Sequence, residues 1–434
     1  MTGPGQAARS RALGLGLAVV IGLGAVQAWL GTIAPVLGGE LRFGFPAYLT
    51  SSRLAADGDW GPDVYDNDWF HARSLAVTAG RVAEIYRPNT PMMSLLALPV
   101  VGLDLAAARA VWLVVDLLLV AIAVAAVLAA LPGLRSPPWS LLVVALAIWW
   151  MPIRETVSLG QAYALMLALQ AVALWASLRG RWGGAGVALG VAAATKLAAL
   201  PVLLLLAVRG ARRAVLTAVV VALALAVATM PFAGPAGWTR FVQVVIEDLV
   251  APPASLAVPA YQSVTGLAHR LFVADAAWNP APIVEATWLA TLIAVVATVV
   301  VLTVTCWLGR RGRLDVAFGA AVVAGVLILN LAQEYHLAML WLPAAIAVAR
   351  IAEGPERRGR GWMVALVVAC VLVAAPWPYE DPRLSGWLLP LAYPRLIGAW
   401  LLWAWLVADL WRARSVAEGH EQVGGRLDRV GAHG

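Results

Sequence analysis

Apolar runs and polar interruptions alternate along almost the whole chain. The runs lie near 13–36, 107–131, 139–152, 160–178, 183–208, 212–231, 287–308, 315–333, 336–350, 361–376 and 395–412. Most are long enough to cross a hydrocarbon layer of about 30 Å. A segment in lipid must satisfy its own backbone, so each run predicts a helix. The pattern predicts an all-α polytopic membrane protein with about 10–12 transmembrane helices, a single transmembrane domain over residues 1–412. A soluble helical protein could not hide so many uninterrupted runs. Two long polar loops, 37–106 and 232–286, interrupt the runs, and a shorter one, 377–394, carries "WPYEDPR". The Gly-rich polar end, 413–434, reads as a disordered tail.

Composition agrees. The chain is 62% hydrophobic and 13% charged, against roughly 25% charged for soluble domains. Its net charge of +7 does not imply nucleic-acid binding, because the cations sit at span ends. Arg9, Arg11, Arg135, Arg209, Arg212, Arg213, Arg310, Arg311, Arg313, Arg350, Arg360, Arg412 and Arg414 mark one side. The positive-inside rule makes that side cytoplasmic. Both termini are then cytoplasmic, both long loops are extracytoplasmic, and the cell membrane is the expected location. The first run is far longer than a signal-peptide core and lacks a convincing cleavage site, so it reads as a retained span. Cys306 and Cys370 lie inside apolar runs and offer neither a disulfide framework nor metal spacing.

Parity exposes one conflict. Three runs lie between Arg135 and Arg209, where an even number is needed. Either 139–152 fails to cross, or 183–208 is re-entrant, or Arg179 and Arg181 lie outside. A broken or re-entrant element around "AATKLAALP" is favoured, since it holds a Lys and a Pro in mid-run. Polar backbone at membrane depth is tolerated where it lines a cavity. Lys196, the chain's one lysine, is costly there unless paired or wet, so function is its default reading. Snorkelling to an interface is the alternative.

The first loop holds Glu40, Asp57, Asp59, Asp63, Asp66, Asp68 and Glu84 against Arg42, Arg53, Arg73, Arg81 and Arg87. Its apolar stretches "FPAYLTSSRLAA" and "MMSLLALPVVGL" are too short to span and suit interfacial helices. A carboxylate just outside the first span, facing a cavity at the lipid boundary, suits a general base for a sugar hydroxyl. The bland alternative is that these acids cap short helices and pair with Arg. "YDNDWFHARSL", residues 65–75, is expected to wall such a site.

Several patterns together resemble glycosyltransferase family 87, membrane enzymes of the GT-C fold that include polyprenyl-phosphate-mannose-dependent mannosyltransferases. They are "FPAYLTSSRLAADGDWGPDVYD", "IYRPNTPMMSLLALPVVGL", "SLGQAYALMLAL", "GVALGVAAATKLAALPVLLLL" and "NLAQEYHLAMLWLPAAIA", in the family's order over roughly residues 13–350. The resemblance implies a polyprenyl-phosphate sugar donor, a lipid or glycan acceptor, and no cofactor. A donor held in the membrane also explains the absence of a nucleotide-binding glycine motif, and no carboxylate pair suggests a metal. One departure matters. The family's presumed catalytic Asp falls four residues before the motif Tyr; here that Tyr is Tyr48, and the position is Gly44. Glu40, one turn earlier (about 5.4 Å along a helix), is the first substitute, with Asp66 and Asp68 as rivals.

Under this reading Lys196, His336 and Arg154 balance the donor phosphate. Tyr48, Asn89, Gln161, Gln262 and Arg270 contact substrate, the last two from a lid in "AYQSVTGLAHRLF". Each has a plain alternative: His336 an interfacial histidine, Arg154 an ion pair with Glu155, Gln161 a helix cap. Two other functions stay open. A lipid or glycolipid transporter would call for inverted repeats, and none is evident. A catalytically altered or inactive paralogue, or scaffold, would suit Gly44 but gives Lys196 no task.

Overall fold

The computed structural model describes residues 4–87, 89–250, 255–354, 359–378, 384 and 386–431, with side chains from 12 to 413 except 249 and 250. It is about 78% helical. Among the described residues the β pairing is confined to one antiparallel bridge, Asp275 to Asn279. Six helices are long and apolar enough to cross a membrane: Ala12–Leu37, Leu105–Ala130, Arg212–Asp248, Thr287–Gly309, Glu334–Glu353 and Pro394–Ala413. The pair Pro137–Trp149 and Met151–Leu159, bent by 49°, makes a seventh candidate. The architecture is that of an all-α multi-pass membrane protein.

The remaining apolar runs form helices of 10 to 17 residues. Leu314–Leu327 is short because it is central: every residue from Asp315 to Leu327 is buried. The spans Ala12–Leu37, Arg212–Asp248 and Thr287–Gly309 instead present most of their apolar side chains outward, as lipid-facing helices do.

The run 183–208 is two limbs. Trp182–Thr195 is helical, Lys196 is extended (φ −143°, ψ 130°), and a 3-10 turn at Leu197–Ala199 leads into Leu200–Val208. A Cβ on Gly186 would lie 2.4 Å from Ala214 O, and one on Gly190 would lie 2.7 Å from Ala218 O. The first limb therefore runs parallel to Arg212–Asp248 and in contact with its backbone, an approach only small residues allow. Trp182 at its start and Arg209 to Ala211 after the second limb line one crevice. Both limbs thus begin and end at the same end of the molecule. This hairpin corresponds to the re-entrant alternative for 183–208.

That end gathers the Arg side chains. Arg209 donates to the carbonyls of Gly309 and Gly312, Arg313 pairs with Asp315 at 2.7 Å, and Arg350 pairs with Asp409 at 3.1 Å. Arg179 donates to Ala129 O at 3.0 Å. The opposite end holds the first loop.

That loop has its own core. Phe45–Asp57 and Asn67–Val77 are helices, with 3-10 turns at Pro62–Tyr65, Pro91–Leu95 and Leu98–Val100. Nine residues of Phe45–Asp57 are buried, so this stretch packs within the protein and not only against a membrane surface. Phe45, Tyr48, Trp60, Tyr65, Phe70, Tyr86 and Met93 form the core. The Ser94 hydroxyl ties it together, accepting from Trp60 Nε1 at 2.9 Å and lying 2.8 Å from Tyr86 Oη.

The second long loop does not begin at 232. The helix from Arg212 continues to Val250 across a kink at Gly234 (φ 58°, ψ −177°), flanked by Pro231 and Pro235. The continuation packs on the first loop: Phe232 meets Trp60, and Phe241 meets Tyr65. Arg87 pairs with Glu247 at 2.9 Å and Asp248 at 2.8 Å. The polar end, expected to be disordered from 413, is described as a continuation of the helix Pro394–Gly431. Of "WPYEDPR", only Trp377 and Pro378 fall within the described residues.

Candidate active site

Lys196 stands at the tip of the hairpin. Its Nζ donates to Asn89 Oδ1 at 2.6 Å and lies 5.7 Å from the centroid of the Tyr163 ring. The first limb has 14 residues, about 21 Å at 1.5 Å per residue, so the ammonium lies deep in the molecule, measured from the Arg-rich end. The first loop descends to meet it. Thr90 Oγ1 donates to Ala194 O at 2.9 Å, and Tyr65 Oη donates to Asn89 O at 3.1 Å. Among the described residues no carboxylate pairs with Lys196.

An aromatic wall continues from Tyr163. Its ring lies 5.5 Å from Tyr335 and 4.4 Å from His336, and Tyr335 stacks on His336 at 4.4 Å. His336 Nδ1 accepts from the Gln333 N–H at 3.1 Å in a capping box. That bond assigns the ring proton to Nε2.

Tyr48 links this wall to the first loop, because its hydroxyl donates to Gln161 Oε1 at 2.6 Å. Gln161 is set in place by Gly160, which ends the preceding helix in the left-handed region (φ 65°) and packs tightly: a Cβ there would lie 2.7 Å from Phe45 Cβ. Gly44 lies against the same glutamine. A Cβ on Gly44 would sit 3.0 Å from Gln161 Nε2 and 2.6 Å from Leu159 O. The backbone N–H of Gly44 donates to Glu84 Oε1. Glu84 is 7% exposed. Burial pushes its carboxyl up to about 7, against the opposing pull of the Gly44 and Ile85 N–H groups.

Lys196, Asn89, Tyr48, Gln161 and His336 therefore belong to one cluster. The other expected residues lie apart. Glu40 is exposed in the turn after the first span. Asp66 caps Asn67–Val77 by accepting from Trp69 N at 2.8 Å, and Asp68 is exposed in that helix's first turn. Glu155 is held by Arg42 at 2.8 Å, while Arg154 Nε is buried without a hydrogen-bond partner among the described residues. Gln262 braces backbone, donating to Pro259 O at 3.3 Å and Ala392 O at 3.1 Å. Arg270 stands 6.0 Å from the Tyr393 ring.

Three features went unread. Glu84 reads in the sequence as one of the loop's acids; the signal that could single it out is a lone carboxylate within "VAEIY". Tyr163 is masked by its alanine neighbours, and Tyr335 is overshadowed by the adjacent Glu334 and His336. Arg395, which pairs with Glu334 beside the aromatic wall, had no local signal.

No curated protein and no solved structure matches the chain. The family model for glycosyltransferase family 87 matches residues 88–333. That stretch includes Asn89, Arg154, Gln161, Tyr163, Lys196, Gln262 and Arg270. With more than half of its length matched, the chain belongs to glycosyltransferase family 87 and is a membrane glycosyltransferase.

Proposed function

We propose that this glycosyltransferase takes a mannose-like hexose or a pentose from a polyprenyl-phosphate donor. It passes the sugar to a lipid or glycan acceptor at the outer face of the cell membrane, on a GT-C-type scaffold. The observation that carries the reading is Lys196: a lone ammonium at the tip of a hairpin, held by Asn89 and an aromatic face, with no carboxylate pairing it among the described residues. Such a cation calls for an anion, and a lipid phosphate reaches it from the bilayer. The departing phosphate collects negative charge, and Lys196 with the Nε2 proton of His336 balances it. Tyr163 and Tyr335 offer a platform for a sugar ring, and Gln161 and Tyr48 offer hydrogen bonds to its hydroxyls.

The site end is then extracytoplasmic and the Arg-rich end cytoplasmic. The test uses protein reconstituted in vesicles and a panel of polyprenyl-phosphate sugars. Lys196→Met is expected to insert and fold normally and to lose transfer by roughly a hundredfold or more, the scale of one preorganised electrostatic contact. Full transfer by that variant overturns the reading.

A further inference from the structure

We propose that Glu84 is the general base of the transfer, standing in for the acid that Gly44 lacks; the assignment rests on the donor reading above. Three observations converge on it. Glu84 touches Gly44 itself, through the Gly44 N–H. Its charge is felt by the Tyr48 and Tyr335 hydroxyls, and Gly44, which it holds, lies against Gln161 of the cluster. No cation pairs with it among the described residues, whereas Glu155 is engaged by Arg42, Glu334 by Arg395 and Asp248 by Arg87. Asp116, the other buried carboxylate near Tyr48, lies inside the span Leu105–Ala130 with Arg109 as its neighbouring cation. Asp66 is committed to a helix cap, and Glu40 and Asp68 face outward.

The step balances simply. The acceptor O–H proton passes to the Glu84 carboxylate as the acceptor oxygen forms a bond to the anomeric carbon. The bond from that carbon to the phosphate oxygen breaks on the opposite face. Its electron pair leaves with polyprenyl phosphate, whose charge Lys196 balances. The products are a glycoside of inverted configuration, polyprenyl phosphate and a protonated Glu84, which returns its proton to water. A base works best when its pKa lies near the operating pH, and the buried carboxyl, held near 7, meets that condition.

The rival role is structural, since Gly44 is the N-cap of Phe45–Asp57 and Glu84 accepts that cap's N–H. Glu84→Gln separates the two, because the amide oxygen still accepts from Gly44 while the proton acceptor is gone. We expect normal folding, normal binding of polyprenyl phosphate and a loss of transfer of 10²–10⁴, the usual worth of a general base. Glu84→Ala is expected to regain part of its rate with added formate. The wild-type rate is expected to rise with pH to a plateau, with a midpoint near 7; burial pushes the Tyr48 phenol further up, so it does not titrate in this range. Transfer by Glu84→Gln within about threefold of wild type overturns the assignment and leaves the donor reading intact. If Glu84→Gln fails to fold, absence of both the formate rescue and the rising limb overturns it. Absence of transfer by wild type with every donor overturns the donor reading and the assignment together.

Discussion

The Glu84 carboxylate accepts a hydrogen bond from the backbone N–H of Gly44, forty residues earlier in the chain. Gly44 adopts φ 121° and ψ −88°, a conformation that L side chains rarely take. A Cβ would also press against Leu159 O at 2.6 Å. An aspartate does not fit here without strain. Gly44→Ala and Gly44→Asp are each expected to destabilise the protein by about 1–3 kcal/mol, the scale of a strained backbone residue, and to lower transfer. Thermal unfolding in detergent and the transfer assay measure both effects. A Gly44→Asp variant that gains transfer would contradict this geometry.

The same carboxyl makes stability depend on pH. Unfolded, Glu84 has an ordinary value of 4.5; folded, burial raises it to about 7. Between those values the native state holds the extra proton, so stability is greatest at the acidic side and declines as pH rises through the window. The full change amounts to about 3 kcal/mol at most. Unfolding curves of wild type and Glu84→Gln from pH 4 to 8 are expected to diverge across this range, with the slope reduced in the variant. Parallel curves would mean that the carboxyl is not held in its buried, raised state.

Much of this fold was legible because lipid imposes its own rules. Apolar runs marked helices, and a lysine in mid-run with a proline beyond it marked the break at Lys196. Parity left three alternatives, and the lysine and proline favoured a re-entrant element among them; its packing, which Gly186 and Gly190 set through tertiary contact, was not legible. The carboxylates were harder. Asp66 and Asp68 looked chemical because they cluster, yet clustering at a helix start is how a chain caps itself. Glu84 looked ordinary because its partner, Gly44, lies far off in sequence and offers only a backbone N–H. Burial turns a plain glutamate into a poised one, and burial is settled by the aromatic core around Tyr48, Tyr65 and Tyr86.

Topology follows from the two ends. Ala72 in the first loop and Ala277 in the second are exposed, and Arg311 is exposed at the Arg-rich end. Ser74, in contrast, is buried and would give a misleading negative. In a background lacking Cys306 and Cys370, cysteines at 72 and 277 are expected to react with an impermeant maleimide added to intact cells, and one at 311 only after permeabilisation. The reverse pattern inverts the proposed orientation and moves the site to the cytoplasmic face.

The hairpin carrying Lys196 is held by contact with the helix beginning at Arg212, and its position depends on Gly190. A Cβ there would lie 2.7 Å from Ala218 O and 2.9 Å from Ala218 Cα. These are backbone atoms, which cannot rotate away as a side chain can. Gly190→Leu must push the limb outward, and Lys196, six residues on, moves with it. The Asn89 contact of 2.6 Å leaves little room for such a shift. Overpacking of this kind costs about 1–3 kcal/mol, so the variant is expected to insert but to unfold at lower temperature. A misplaced ammonium also weakens phosphate binding, so the apparent affinity for polyprenyl phosphate is expected to fall more than in Gly184→Ala, where a Cβ meets only Ala176 Cβ at 3.8 Å. Equal stability and equal phosphate affinity in the two variants would show that the hairpin tip is not fixed by this helix contact.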